Sequence, residues 1–111
     1  MLWPSQEPHA MTTHRFTADL WLWDARRADT WVFVTLPDLV STAVFDEADE
    51  QGPRNGFGSV RVQVRLGSTV WRTSVFPDAA TGCFVLPVKK AVRRVEGIDV
   101  GDEVEVEVEL I

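Results

Sequence analysis

Cysteine, histidine and long apolar runs are scarce in this chain, and each scarcity excludes a class of protein. Its one cysteine, Cys83, rules out an intramolecular disulfide and fits a reducing compartment. No stretch approaches the ~18 apolar residues of a membrane span, and the N-terminus lacks the basic and apolar regions of a signal peptide. One cysteine and two histidines do not form a metal-ligand pattern. We therefore expect a cytoplasmic protein with no metal and no cofactor.

Positive charge is also in the minority. The chain has 11 Lys and Arg against 17 Asp and Glu, giving a net charge of −6 and an isoelectric point near 4.8. This balance disfavours binding to nucleic acid or to a membrane surface. Tyrosine is absent, whereas five Trp and six Phe are present, and most of those rings are expected in a core.

The length of 111 residues fits a single domain. Residues 1–13 contain two prolines and no hydrophobic periodicity, so we expect a flexible N-terminal tail, with Met11 as an alternative start to Met1. A single β-barrel domain is predicted over residues 14–111.

Alternating hydrophobicity predicts six strands. Pro37 and Pro87 each end a strand and precede residues at helical spacing. Gly97 is placed to cap the second helix in the left-handed conformation, and Gly67-Ser68 predicts a hairpin turn. The strands are expected near 14–23, 31–36, 60–66, 69–76, 83–86 and 104–110, and the helices near 38–48 and 88–96.

The two strand–proline–helix junctions indicate an internal duplication. Phe33 to Pro37 and Phe84 to Pro87 have similar sequences, and the Ala43-Val44 and Ala91-Val92 pairs follow them. One interpretation is that such junctions are simply common. The other, which we adopt, is a mainly β fold: a six-stranded, closed, double-split β-barrel with two short helices and pseudo-twofold symmetry, whose closure removes exposed strand edges.

Three segments carry a resemblance to a known family: Gly56-Phe57-Gly58-Ser59-Val60-Arg61-Val62, Trp71-Arg72-Thr73-Ser74-Val75-Phe76-Pro77 and Leu86-Pro87-Val88-Lys89-Lys90-Ala91-Val92-Arg93. Together with the strands before Pro37, they resemble the bacterial family called domain of unknown function 1905. The resemblance implies a double-split barrel of the class shared with AbrB-type transcription factors and no established activity. AbrB-type proteins build that barrel from two chains, whereas this chain contains both halves.

A cluster of large rings is the first candidate site. Trp21, Trp23, Trp31 and Phe33 are predicted on one face of neighbouring strands, with Trp71 as a further member. Such a cluster is suited to an apolar or aromatic ligand, with Arg72, Thr73 and Ser74 as polar contacts and the glycine-rich loop 52–58 as a lid. The alternative is that these rings only pack the barrel.

Four cations of the second helix are the other candidate. Lys89, Lys90, Arg93 and Arg94 lie within six residues, and in a helix each lysine shares a face with the arginine four positions on. They form either an anion or nucleic-acid site or a solvated helix end, where cations are favoured by the dipole.

Neither carboxylates nor Cys83 predict catalysis. Glu103, Glu105, Glu107 and Glu109 alternate along the last strand, where pairing with Arg61, Arg65 or Arg72 is expected. Cys83 is interpreted as a small buried apolar residue rather than as the partner of His9 or His14. We therefore predict a non-enzymatic module that binds an unknown small molecule or protein, with an AbrB-like nucleic-acid-binding or regulatory role as the alternative; an enzyme ranks third.

Overall fold

The fold is mainly β. The computed structural model describes residues 12–23, 31–52 and 58–111, and over these residues it contains seven strands in one antiparallel sheet and two helices. The elements are β1 (Thr13–Asp19), β2 (Trp21–Trp23), β3 (Trp31–Thr35), α1 (Asp38–Glu50), β4 (Val60–Leu66), β5 (Thr69–Asp78), β6 (Cys83–Pro87), α2 (Lys90–Glu96) and β7 (Glu103–Leu110). No helix in this part of the chain is long and apolar enough to cross a membrane.

The strand predicted over residues 14–23 is divided into two strands, because the backbone changes its hydrogen-bonding partner strand at Leu20. The N–H of Leu20 donates to the carbonyl of Asp102 at 2.9 Å, and its carbonyl accepts from Gly101 N–H at 2.8 Å. Before this point β1 pairs with β7, and after it β2 pairs with β3. Leu20 itself is 1% exposed. The strand count is therefore seven rather than the predicted six.

The sheet is an open half-barrel, with the strand order β1-β7-β4-β5-β6-β3-β2. β1 and β2 are joined through Leu20 alone, yet they stand at opposite ends of this order. The described residues contain no ladder between β1 and β2, and β2 is only three residues long. The prediction of a closed six-stranded double-split barrel is therefore wrong.

The core lies on the inner face of the sheet, where alternate residues of the central strands point. Val62 and Val64 of β4 and Val106 and Val108 of β7 are fully buried. At the alternate positions of the same strands, the glutamates of β7 and the arginines of β4 face outward. The alternation in the sequence thus predicted the inner and outer faces of both strands correctly.

The two helices begin after the predicted prolines. Pro37 is the N-cap of α1, which buries Val44 and Ala48 and extends two residues beyond its predicted end. α2 begins at Lys90 rather than Val88, because Val88 N–H still donates to the Val32 carbonyl of β3 at 2.9 Å. Gly97 ends α2 with φ 68° and ψ 36°, which confirms the predicted left-handed cap.

The two strand–proline–helix junctions that indicated a duplication begin on neighbouring strands of the sheet. β3 and β6 are antiparallel partners, with Val34 opposite Leu86, and each leads into a helix. The helices differ, since α1 has 13 residues and α2 has seven. A twofold relation between complete halves stays a prediction. Of the tail predicted over residues 1–13, residues 1–11 lie outside the described residues and Thr13 is the first residue of β1. The turn predicted over residues 24–29 and most of the predicted lid also lie outside the described residues.

Candidate functional site

Large rings cover the outer face of β2 and β3. Trp23 lies directly opposite Trp31, and Trp21 lies opposite Phe33, so all four share one face. That face is the outer one, because the alternate residues Val32 and Val34 are buried in the core. The Trp21 and Phe33 ring centroids are 5.3 Å apart, and Trp31 stacks on Phe33 at 6.2 Å with an interplanar angle of 12°.

The same surface continues onto β6 and β5. Val85 lies opposite Thr35 on one side and opposite Phe76 on the other, so Phe76 belongs to the outer face as well. We call Trp21, Trp23, Trp31, Phe33 and Phe76 the aromatic face. Trp23 and Trp31 are each 50% exposed and Phe76 is 41% exposed, so these side chains offer apolar area to a partner.

The aromatic face is held in place by its own contacts. The Trp21 indole Nε1–H donates to Thr35 Oγ1 at 2.9 Å, which satisfies the polar atom of that ring and fixes its orientation. Since β2 and β3 also hold the rings in cross-strand pairs, the surface is formed before any partner arrives.

The predicted polar contacts divide between the two faces of β5. Trp71 lies opposite Val64 and packs against the core, and Thr73 lies opposite the buried Val62. Arg72 and Ser74 alternate with them and point outward, on the same side as Phe76. The expectation that Trp71 joins Trp21 and Trp23 is therefore wrong, and only Arg72 and Ser74 share the outer face with them.

Three of the four cations near α2 are exposed. Lys89 is the N-cap residue of α2, and Lys89, Lys90 and Arg94 are open to solvent. Arg93 is partly buried, and its Nε–H donates to the Val88 carbonyl at 3.1 Å, so this side chain is less open to solvent than the other three. Within the described residues, none of the four forms an ion pair.

The predicted pairing with the glutamate row is confirmed for one arginine. Arg65 Nε lies 3.7 Å from Glu107 Oε1, and the unpredicted Arg15 of β1 binds Glu107 Oε2 at 2.7 Å. Arg61 and Arg72 instead donate to Ser74 Oγ and Gln63 Oε1, both at 3.4 Å. These exposed pairs belong to the sheet surface and contribute only ~0.2–1 kcal/mol each.

A cavity of about 390 Å³ opens where the start of α1 meets β5 and β6, and the sequence did not indicate it. Cys83 Sγ–H donates to Asp38 Oδ1 at 3.0 Å. The hydrogen bond to the Asp38 carboxylate, together with burial, raises the pKa of the Cys83 thiol. Burial of Cys83 was predicted correctly. The thiol stays protonated and is a poor nucleophile.

His14 is not a base for this thiol. Its Nε2 contacts Glu47 Oε1 at 2.9 Å. Glu47 follows Asp38 by nine residues in α1, which corresponds to a rise of roughly 13 Å along a helix. The structure therefore offers no His14–Cys83 pair, as the sequence indicated.

Comparison with known protein families adds one assignment. The family model for Domain of unknown function (DUF1905) matches residues 16–108, which span all but the ends of the described sheet. The chain belongs to the DUF1905 family. No curated protein matches it.

Membership in DUF1905 confirms the resemblance seen in the sequence and brings no activity with it. The AbrB-like nucleic-acid-binding or regulatory role, which the sequence offers as the alternative, stays a prediction. Among the residues that the structure describes, no group of three or more His, Cys, Asp and Glu side chains is arranged to hold a metal ion. The features of this DUF1905 domain suited to recognition are the aromatic face, the exposed cations of α2 and the cavity.

Proposed function

We propose that this DUF1905 domain is a non-enzymatic binding module that recognises an acidic protein segment carrying an apolar or aromatic side chain. The observation that carries the proposal is the half-exposed, cross-strand pair of Trp23 and Trp31 on the outer face of the sheet. Rings in this position contribute little to the core, and contiguous exposed apolar surface marks interaction sites.

The composition and rigidity of the aromatic face favour a protein partner. Tryptophan is enriched among the residues that dominate binding energy at protein interfaces. The stacking of Trp31 on Phe33 and the Trp21–Thr35 hydrogen bond order the rings in advance, which lowers the entropy lost on binding.

The shape of the surface favours a protein segment over a small ligand. Small-molecule sites are concave and enclose most of their ligand. The aromatic face lies on the side of an open sheet opposite the core, and the cavity near Cys83 is lined by other residues. A segment laid along β2 and β3 would contact several rings at once.

Charge favours an acidic segment. Val88, which precedes Lys89, donates its N–H to the carbonyl of Val32, the neighbour of Trp31. The N-cap Lys89 and the first helical residue Lys90 therefore follow a residue that is hydrogen-bonded to the Trp31 end of β3. Arg72 lies on the outer face with Phe76. These cations form no ion pair within the described residues. An acidic segment would pair with them while its apolar side chain contacts the rings.

The same charges argue against nucleic acid as the partner. The whole chain carries a net charge of −6, and the glutamates of β7 occupy the other half of the same outer face. A long polyanion would meet those glutamates, whereas a short acidic segment would not. We therefore rank the nucleic-acid alternative below the protein segment.

Selection from an unbiased peptide library tests the proposal. Random 12-residue peptides are selected on the full chain, with counter-selection on the Trp23→Ala/Trp31→Ala variant. We expect enriched peptides that combine Glu or Asp with Trp, Phe or Leu. For one such peptide, Kd should rise at least tenfold in the double variant and several-fold in Lys89→Gln/Lys90→Gln, which removes attraction without disturbing the core.

Matched controls distinguish a loss of binding at the aromatic face from the general effect of removing apolar area or charge elsewhere on the protein. Leu39→Ala removes an apolar side chain that is 85% exposed on α1, and Arg15→Gln/Arg65→Gln removes two charges from the glutamate region; both should bind as the wild type does. Trp71 provides an internal reference, because its indole N–H resonance should not shift with peptide.

Three results would overturn the proposal. One is that the selection enriches basic peptides, or that it enriches no peptide at all. Another is a single-stranded oligonucleotide that binds through Trp23 and Trp31 while acidic peptides do not. The third is self-association through Trp23 and Trp31 in sedimentation experiments, which would show that a second copy occupies the aromatic face.

A further inference from the structure

The cavity between the start of α1 and the β5–β6 turn points to a second, independent site. We infer that it binds a small organic cation, in which an ammonium group is attached to a flat apolar body. Its lining includes Asp38, Thr42, Phe45, Pro77, Cys83 and Phe84. None of these residues belongs to the aromatic face, so this inference does not depend on the proposed function.

The walls suit the apolar part of such a ligand. Phe45 is 45% exposed, and Phe84 forms the floor at 5% exposure, opposite Pro77 in the β5–β6 ladder. The volume of about 390 Å³ lies within the ~300–1,000 Å³ of small-molecule sites, which combine apolar walls with a few polar groups. Two rings and a proline provide walls of that kind.

The polar groups are acceptors placed for an ammonium. Asp38 Oδ1 accepts the hydrogen bond of the Cys83 thiol, whereas Oδ2 makes no hydrogen bond with a described residue. Thr42 lies four residues after Asp38 in α1, on the same side of the helix, and its hydroxyl also has no described partner. Two oxygen acceptors therefore stand side by side at one end of the apolar walls.

The balance of charge selects a cation. Asp38 is the charged residue among the described lining residues, and no Lys or Arg is among them. The positive end of a helix carries only about half an elementary charge, so the full charge of Asp38 leaves the cavity negative. Cys83 contributes a neutral thiol, whose hydrogen bond holds the Asp38 carboxylate at the cavity.

A three-compound comparison tests the inference on the full chain. The probe is 2-phenylethylamine; 2-phenylethanol replaces the ammonium with a hydroxyl, and 3-phenylpropionate replaces it with a carboxylate. Binding is followed by the backbone amide resonances of Gly82 and Cys83. We expect saturable shifts with the amine, at least tenfold weaker binding of the alcohol, and none with the acid.

Two variants test whether amine binding depends on the oxygen acceptors of Asp38 and Thr42. Asp38→Asn, which keeps the shape of an exposed side chain, should weaken amine binding at least tenfold. Thr42→Val should weaken it several-fold and serves as the second variant if the first alters the fold. Val95→Ala, which shortens an exposed apolar side chain on α2, should leave binding unchanged.

The inference is overturned if the amine causes no saturable shift at Gly82 and Cys83. It is also overturned if the alcohol or the acid binds as tightly as the amine, or if Asp38→Asn and Thr42→Val both retain wild-type affinity. The peptide assay depends on Trp23 and Trp31, whereas the amine assay depends on the cavity. A negative amine result therefore leaves the proposed peptide binding standing, and a negative peptide result leaves the amine site standing.

Discussion

Glu96 Oε2 accepts two hydrogen bonds from Ser68, which lies in the turn between β4 and β5. One comes from the Ser68 backbone N–H and the other from its hydroxyl, each at 3.3 Å. The same Oε2 accepts from the Thr69 hydroxyl at 2.5 Å. One side chain near the end of α2 therefore holds the β4–β5 hairpin, although the two segments are almost thirty residues apart.

This contact predicts a dependence of stability on pH. The hydrogen bond from Thr69, reinforced by those from Ser68, lowers the pKa of Glu96. A group with a lowered folded-state pKa stabilises the fold above its unfolded pKa, about 4.3 for Glu, and this stabilisation is lost as pH falls through the folded value. Glu96→Gln should therefore lower the midpoint of urea unfolding at pH 7, and the difference from the wild type should shrink below pH 4.

Glu103→Gln is the matched control, because the Glu103 side chain makes no hydrogen bond or ion pair with a described residue. Its unfolding midpoint should follow the wild type at both pH values. A Glu96→Gln deficit that is as large at pH 3 as at pH 7 would contradict the assignment to the ionised carboxylate.

Gly67 is predicted to be intolerant of a side chain for two reasons. Its φ of 63° is in the left-handed region, and a Cβ there would collide with Glu96 Oε1. A non-glycine residue in this region costs about 1–3 kcal/mol. The Glu96 carboxylate can move away from the new Cβ, but only by giving up its hydrogen bonds to Ser68 and Thr69. Gly67→Ala should therefore lower the free energy of unfolding by more than Gly82→Ala, whose φ is 78° but whose Cβ would meet no atom within 4 Å. Equal losses in the two variants would show that the Glu96 contact has no influence.

The Asp38–Cys83 contact predicts the reactivity of the thiol. Since the hydrogen bond to Asp38 is the largest cause of the raised pKa of Cys83, Asp38→Asn should lower that pKa and increase the thiolate fraction near pH 8. Alkylation by iodoacetamide, which reports on this cysteine alone, should become several-fold faster. Asp46→Asn on the same helix should react at the wild-type rate; an equal acceleration there would point to helix opening instead.

Ser41 connects α1 to β6 inside the protein. Its Oγ–H donates to the Leu36 carbonyl at 2.9 Å, and its Oγ accepts from Phe84 N–H at 3.0 Å, while the residue is 6% exposed. Ser41→Ala leaves both backbone groups without this partner, so we expect a loss of about 1–3 kcal/mol in unfolding free energy. The exposed neighbour Thr42→Ala should change it by no more than about 0.5 kcal/mol. Denaturant unfolding of the two variants makes the comparison, and a Ser41→Ala loss no larger than that of Thr42→Ala would contradict it.

Local patterns predicted much of the fold because they depend on neighbouring residues. The valines of β4 and β7 alternate with charged residues, and burial follows that alternation. The turn at Gly67-Ser68 was also predicted, and a two-residue turn sets the register of a hairpin. Counting from it places Val64 opposite Trp71, so the position of Trp71 on the core face was available from the sequence and was missed.

Other features depend on contacts between distant segments. The alternation from Phe16 to Trp23 has no break, and only the hydrogen bonds of Leu20 to Gly101 and Asp102 divide it into two strands. The cavity likewise requires Asp38 and Cys83 to meet across 45 residues. Neither pairing leaves a periodic signal, so closure was predicted wrongly and the cavity was not predicted at all.

The pairing of β1 with β7 has a consequence for how this protein is made. Thr13 lies opposite Glu109, so β1 leaves the ribosome long before its ladder partner β7 has been translated. Contacts between such distant segments slow folding. During synthesis β1 must therefore wait as an unpaired edge, and the nascent chain completes this sheet only after β7 has emerged.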